Sequence, residues 1–174
     1  MGIAQTKQEG SRPDREWNRF LDSQGDALLL FARQLTRTDS DAKDLTQQVL
    51  IEAWKFSRGK VPDKALVFSM LRRRAIDMGR SKDRRAQREV DYSENREDWF
   101  APNFEKRDDA ARLEEALGFL PDTLREVVVL RIWGDLSFPE IAQTTGVTVA
   151  TATSRFRYGI ERLRKSDIIN ELKT

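Results

Sequence analysis

The chain contains no cysteine and no histidine. Without cysteine no disulfide framework can form, and without either residue thiolate or imidazole metal sites are excluded. Nucleophilic catalysis by Cys-His or Ser-His arrangements is excluded with them. Long apolar runs are missing as well. The opening segment, MGIAQTKQEGSRPDRE, has no hydrophobic core that could act as a signal sequence, and no stretch reaches the length of a membrane span. The expectation is a cytoplasmic, non-enzymatic chain that needs no cofactor and no metal and has no membrane partner.

Charge is abundant: 34% of residues are charged against 39% hydrophobic, which still allows packed cores. A net charge of +2 conceals a pattern. Leu71 to Arg88 carries eight Arg/Lys against two Asp, Glu89 to Glu115 ten acidic against four basic residues. The end turns basic again at Arg155, Arg157, Arg162, Arg164 and Lys165. Two separated basic segments are the electrostatic footprint of a nucleic-acid binder with two points of contact. Solvated helix faces would have the same composition, so charge alone does not decide.

Hydrophobic spacing is helical nearly throughout, with no convincing strand alternation. Pro13 can open a helix on which Trp17, Phe20 and Leu21 share a face. Gly25 is expected to break it, and residues 26–37 to form a second helix. Asp39 or Ser40 can cap a third, with Ala42, Leu45, Val49, Ala53 and Phe56 as its apolar stripe. A fourth is expected over Lys64 to Arg80, with Val67, Met70, Leu71, Ala75 and Met78 inward. The pattern lapses over residues 81–106, which are polar and acidic, and resumes at Ala110. Pro121 then opens a new helix. The reading is an all-α chain of two small helical domains, 13–82 and 110–168, joined by a flexible acidic linker over 83–109.

The sharpest local signal is SFPEIAQTTGVTVATATSRFRYGIERLR, Ser137 to Arg164. Ser137 and Glu140 have the spacing of a capping box, with Pro139 in the first turn. Gly146 suits a tight turn at positive φ. Ala142 and Gly146, both small, are expected to let two helices cross closely. Thr148 can cap the next helix, whose apolar stripe is Val149, Ala152, Phe156, Ile160 and Leu163. This is the plan of a helix-turn-helix, whose second helix enters the major groove. Its outward positions, Thr151, Thr153, Ser154, Arg155, Arg157 and Tyr158, mix hydroxyls for phosphates with guanidinium groups for guanine edges. A hairpin that merely packs would need none of that chemistry.

DSDAKDLTQQVLIEAWKF (Asp39–Phe56) resembles the region 2.1–2.2 signature of sigma factors, and ALVFSMLRRRAIDMGRSKDRR from Ala65 resembles the helix that follows it. Leu120–Arg164 is similar to region 4 of the same family. Both motifs stand in family order over roughly residues 17–165. The domains that primary sigma factors carry before and between them are not seen, which points to the extracytoplasmic-function group. A helix-turn-helix alone would be shared with many regulators; the DAKDLTQQ helix has no reason to accompany one.

The resemblance implies a specificity subunit of RNA polymerase. Asp41, Asp44, Gln47, Gln48 and Glu52, around an exposed Trp54, would dock on the β′ clamp helices of core polymerase, and region 4 would meet the β flap. Gln48 stands where the family more often has glutamate. Arg72, Arg73, Asp77, Arg80, Lys82, Arg84 and Arg85, with the loop Lys55–Lys64, would read and melt a single-stranded −10 element. Arg73 replaces the usual asparagine. In the spacing of a helix, Arg72, Arg73 and Arg74 point about 100° apart, so they cannot share a face. Thr148 and the outward residues after it would read a duplex −35 element; Ala150, Ala152 and Thr153 depart from the family's V-G-T-V-K-S-R. An anti-sigma factor is a further partner that the family admits.

Two other readings compete. One is a homodimeric helix-turn-helix regulator that never meets polymerase. The other is a metal-dependent nuclease or recombinase using clustered carboxylates such as Asp108, Asp109, Glu114 and Glu115, which are adjacent and lack a defined scaffold.

Overall fold

The computed structural model describes residues 12–58, 60–86 and 115–165, with side chains at 14–58, 60–79 and 115–165. Among these, every regular element is a helix: α1 (Arg12–Leu35), α2 (Asp39–Phe56), α3 (Lys64–Ala86), a short α4 at 115–118, α5 (Asp122–Ile132), α6 (Phe138–Thr145) and α7 (Val149–Lys165). The expected all-α class is what is seen. The acidic stretch expected as a linker lies outside the described residues from 87 onward, while 83–86 still belong to α3.

α1 is one helix where two were expected. Gly25 costs about 1 kcal/mol relative to alanine inside a helix, which weakens it without ending it. Downstream, Leu28, Leu30 and Phe31 are almost completely buried. Each such side chain contributes about 1.5–3 kcal/mol, enough to carry the helix through the glycine.

The cap of α2 is Thr38, not Asp39 or Ser40: its hydroxyl accepts from the Asp41 N–H at 3.1 Å. The Asp39 carboxylate is engaged elsewhere, 2.7 Å from Lys43 and 3.6 Å from Arg33. Ala42, Leu45, Val49 and Ala53 form the buried stripe, joined by Thr46, whose hydroxyl donates back to the Ala42 carbonyl at 2.8 Å. Phe56 is not part of it. At 72% exposure it ends α2 uncovered, where the chain turns away through Arg58 at φ 52°.

α3 buries Val67, Phe68, Leu71 and Ala75, with Met70 and Met78 only partly covered. Phe68 was not expected inside. It is buried because α3 is covered from two sides. On one lies α1, where the Phe31 ring meets Phe68 edge-on at 5.6 Å. On the other lies the C-terminal unit, where a methyl group built on Gly134 would come within 3.1 Å of the Phe68 ring. The two units therefore share one apolar core. Arg125 of α5 closes the near end of the second unit, donating to the carbonyls of Leu117 and Leu120 at 2.8 Å each.

Candidate nucleic-acid interface

The elbow before α7 is built as the spacing demands. Ser137 and Glu140 form a reciprocal cap: the serine hydroxyl accepts from the Glu140 N–H at 3.4 Å, and the Ser137 N–H donates to the Glu140 carboxylate at 2.6 Å. The Ser137 hydroxyl and then its backbone N–H hold the Glu140 carboxyl below the usual carboxylate range, with a smaller contribution from the charge of Lys64. α6 stops at Gly146, which lies at φ 72°. Its N–H returns to the Ala142 carbonyl at 2.9 Å.

Gly146 serves that angle only. A side chain there would meet nothing within 4 Å, so the expected close crossing at Ala142 and Gly146 does not occur. The tight approach is at Gly159, whose added methyl would lie 2.6 Å from Cγ2 of Val128 on α5. Ala152 is fully buried, and Phe138 meets Phe156 edge-on at 5.6 Å.

Thr148 caps α7, accepting from the Thr151 N–H at 3.1 Å. The hydroxyls at the head of this helix then bond locally. Those of Thr148 and Thr151 lie 2.8 Å apart; Thr153 donates to the Val149 carbonyl at 2.8 Å and Ser154 to that of Thr151 at 3.0 Å. Thr153, Arg157 and Tyr158 are exposed, whereas Thr151, Ser154 and Arg155 are half-buried along the flank. The Arg157 guanidinium lies over the Tyr158 ring, 5.2 Å from its centroid. Val149, expected in the apolar stripe, is 46% exposed at the open start of the helix, next to exposed Ala150. The basic end of α7 exposes Arg162, Arg164 and Lys165.

On α3, Arg73 and Asp77 are exposed as expected. The side chains of Arg80, Lys82, Arg84 and Arg85 lie outside the described residues, though their backbone continues the helix. The three consecutive arginines do diverge. Arg74 pairs with Glu52 of α2, and Arg72 donates to Glu126 of α5 at 2.6 Å. Between α3 and α6 opens a cavity of about 330 Å³, lined by Ser69, Arg72, Arg73, Ile76, Asp77 and Thr144.

The outer face of α2 exposes Asp44, Gln47 and Gln48. Asp41 and Glu52 are half-buried. Trp54 is not the exposed anchor expected: it is half-buried against Trp17, ring centroids 5.0 Å apart. The apolar residue on this face is Ile51, 49% exposed. A lone isoleucine three and four positions after Gln48 and Gln47 was the available signal. Glu126 was also missed, although an acid directly before the apolar run Val127–Leu130 flags a buried, paired charge.

Among the described residues no three acidic, histidine or cysteine side chains gather so as to hold a metal ion. Glu115 is exposed, and Asp108, Asp109 and Glu114 lie outside the described residues. No helix among the described residues is long and apolar enough to cross a membrane.

A three-helix unit with a basic helix, followed by a helix-turn-helix unit, defines a two-part DNA-binding protein. Residues 21–85 match the family model for sigma-70 region 2, and residues 110–163 that for sigma-70 region 4. The chain is 32% identical over 131 residues to the ECF RNA polymerase sigma factor RpoE of Cereibacter sphaeroides, covering 72% of each chain. It is 32% identical over 160 residues to the RNA polymerase sigma-E factor of Streptomyces coelicolor, covering 90% of this chain and 89% of that one. In fold it is similar to the sigma factor RpoE of Bartonella quintana, solved with the anti-sigma factor NepR (TM-score 0.70, 24% identity, 90% of this chain and 98% of that chain). It is also similar to CnrH, solved with the cytosolic domain of CnrY (TM-score 0.56, 24% identity, 87% and 86%). The chain belongs to the sigma-70 family, in its extracytoplasmic-function group. It is a sigma factor, which binds core RNA polymerase and directs initiation at specific promoters.

Proposed function

We propose a division of labour along the chain. Residues 13–82 dock on core polymerase and open the −10 element, 83–109 link, and 110–168 read the −35 element. The outer face of α2, with Asp44, Gln47, Gln48 and Ile51, would meet the β′ clamp helices. The basic face of α3, led by Arg73 and extended by Arg80, Lys82, Arg84 and Arg85, would hold the melted strand. Stacking contributes about 1–3 kcal/mol per base, enough to offset unstacking of a flipped base. α7 would enter the major groove with Thr153, Arg157 and Tyr158 leading and Arg155 on the flank toward phosphate. On this reading the chain is a cytoplasmic specificity subunit without chemistry of its own; the polymerase supplies catalysis. The sigma factor RpoE of Bartonella quintana, similar in fold, was captured with the anti-sigma factor NepR, which supports a protein inhibitor as a further partner.

The observation that carries this reading is the elbow of α6 and α7: reciprocal cap, left-handed Gly146, Thr148 cap, then exposed Arg157 and Tyr158. The test is run-off transcription with purified core polymerase. Arg155→Glu combined with Arg157→Glu is expected to abolish promoter use while core binding, measured by co-elution, stays intact. Equal loss of core binding would overturn the assignment of roles.

A further inference from the structure

We infer that Tyr158 is a positioning residue for Arg157: its ring holds the guanidinium ready for a guanine edge in the −35 duplex, and the pair sets one base of promoter specificity. The inference deepens the −35 role proposed above for α7 and rests on it.

The two residues are neighbours on the exposed side of α7, and the guanidinium carbon of Arg157 lies 5.2 Å from the centre of the Tyr158 ring. Tyr158 is 51% exposed, so its ring is not there to fill a core. The backbone under the pair is fixed. Gly159, the next residue, is the point at which α7 presses on Val128 of α5. Among the described residues no other arginine of α7 lies over a ring. Arg155 is half-buried on the flank, and Arg162 and Arg164 stand in the last turn.

The other group on this helix that could hold Arg157 is engaged. α7 contains a single acid, Glu161, four residues on and within reach along the helix surface. Its carboxylate pairs instead with Lys165 at 2.8 Å, in the favoured order of acid before base. The hydrogen bond and the charge of Lys165 hold the Glu161 carboxyl below its usual range, and the charge of Arg157 adds the smallest share. Arg157 is thus left to the ring.

That choice of partner matters chemically. A carboxylate would occupy the N–H donors of the guanidinium, whereas a ring attracts its charge through the π face and leaves the donors free. An arginine restrained in this way loses less rotamer freedom on docking. It still offers the planar fork that meets O6 and N7 of guanine bidentately. The attraction comes from the ring face, so the tyrosine hydroxyl is dispensable for it.

The test is promoter selection by the holoenzyme, core polymerase with the full chain, from templates randomised across the −35 element, with sequencing of those transcribed. The unaltered chain should enrich guanine at one −35 position, and Arg157→Ala should erase that preference alone. Tyr158→Leu should weaken it by about twofold to fivefold, the range of an exposed cation–π contact. Preferences at the other −35 positions should persist in each variant and so report an intact fold. Tyr158→Phe should keep the guanine preference. In the Arg157→Ala background, Tyr158→Leu should change nothing further, because a positioning residue acts only through its partner. A full preference in Tyr158→Leu, a further loss in the double variant, or a loss in Tyr158→Phe would overturn the inference. Enrichment that ignores Arg157 would remove the inference and leave the −35 role standing. If the unaltered holoenzyme enriches no −35 sequence, that role falls and takes the inference with it.

Discussion

The backbone of α7 meets α5 at Gly159 and Val128, so closely that a methyl group on the glycine would stand 2.6 Å from a valine methyl. Valine is stiff at χ1 and cannot swing aside. Gly159→Ala is therefore expected to destabilise the C-terminal unit by about 1–3 kcal/mol through overpacking. Thermal unfolding followed by circular dichroism measures it. An unchanged midpoint would mean the seam is looser than described.

Gly25 predicts the opposite sign. It lies inside α1 with room around it, and its φ is not in the left-handed region. Gly25→Ala should stabilise the protein by about 0.4–1 kcal/mol, mainly by restricting the unfolded chain. The same unfolding experiment distinguishes the two glycines.

The α2 face separates docking from folding. Ile51→Ser removes an exposed apolar contact and should weaken core polymerase binding by roughly tenfold, about 1.4 kcal/mol, with the unfolding midpoint unchanged. Trp54→Ala removes a ring packed on Trp17 and should lower the midpoint. If Trp54→Ala lost polymerase affinity with full stability, the exposed-anchor expectation would return.

Acid should loosen the helix-turn-helix through Glu140. The folded Glu140 carboxyl titrates below its ordinary value because Ser137 donates to its charged form. A depressed folded pKa contributes stability that is present above the unfolded value, near 4.3, and disappears as pH falls through the folded one. Glu140→Gln should flatten the acid-side fall in stability below about pH 4.5. Urea titrations at pH 6 and pH 3.5 measure the difference.

Local rules made much of the fold readable. Ser137, Glu140, Gly146 and Thr148 act through neighbours three or four residues away, and their spacing located the elbow. Hydrophobic period likewise found the inner faces of α2 and α3. What escaped was tertiary. Gly25 reads as a stop until the burial downstream of it is counted. Phe68 looks superfluous until a second unit covers α3. Trp54 looks like an anchor until Trp17 meets it. At the candidate site, residue types indicated DNA, but which carboxylate each arginine meets depended on partners distant in sequence: Glu52 for Arg74 and Glu126 for Arg72.

The hydroxyls at the head of α7 are engaged within their own helix, and Val149 and Ala150 stand exposed on the same turn as Thr153. On the −35 role proposed above, such a tip would discriminate through the C5 group of thymine more than through hydrogen bonds. Uracil placed in the −35 duplex would keep every pairing edge yet forfeit those contacts, up to about 0.8 kcal/mol for each one lost.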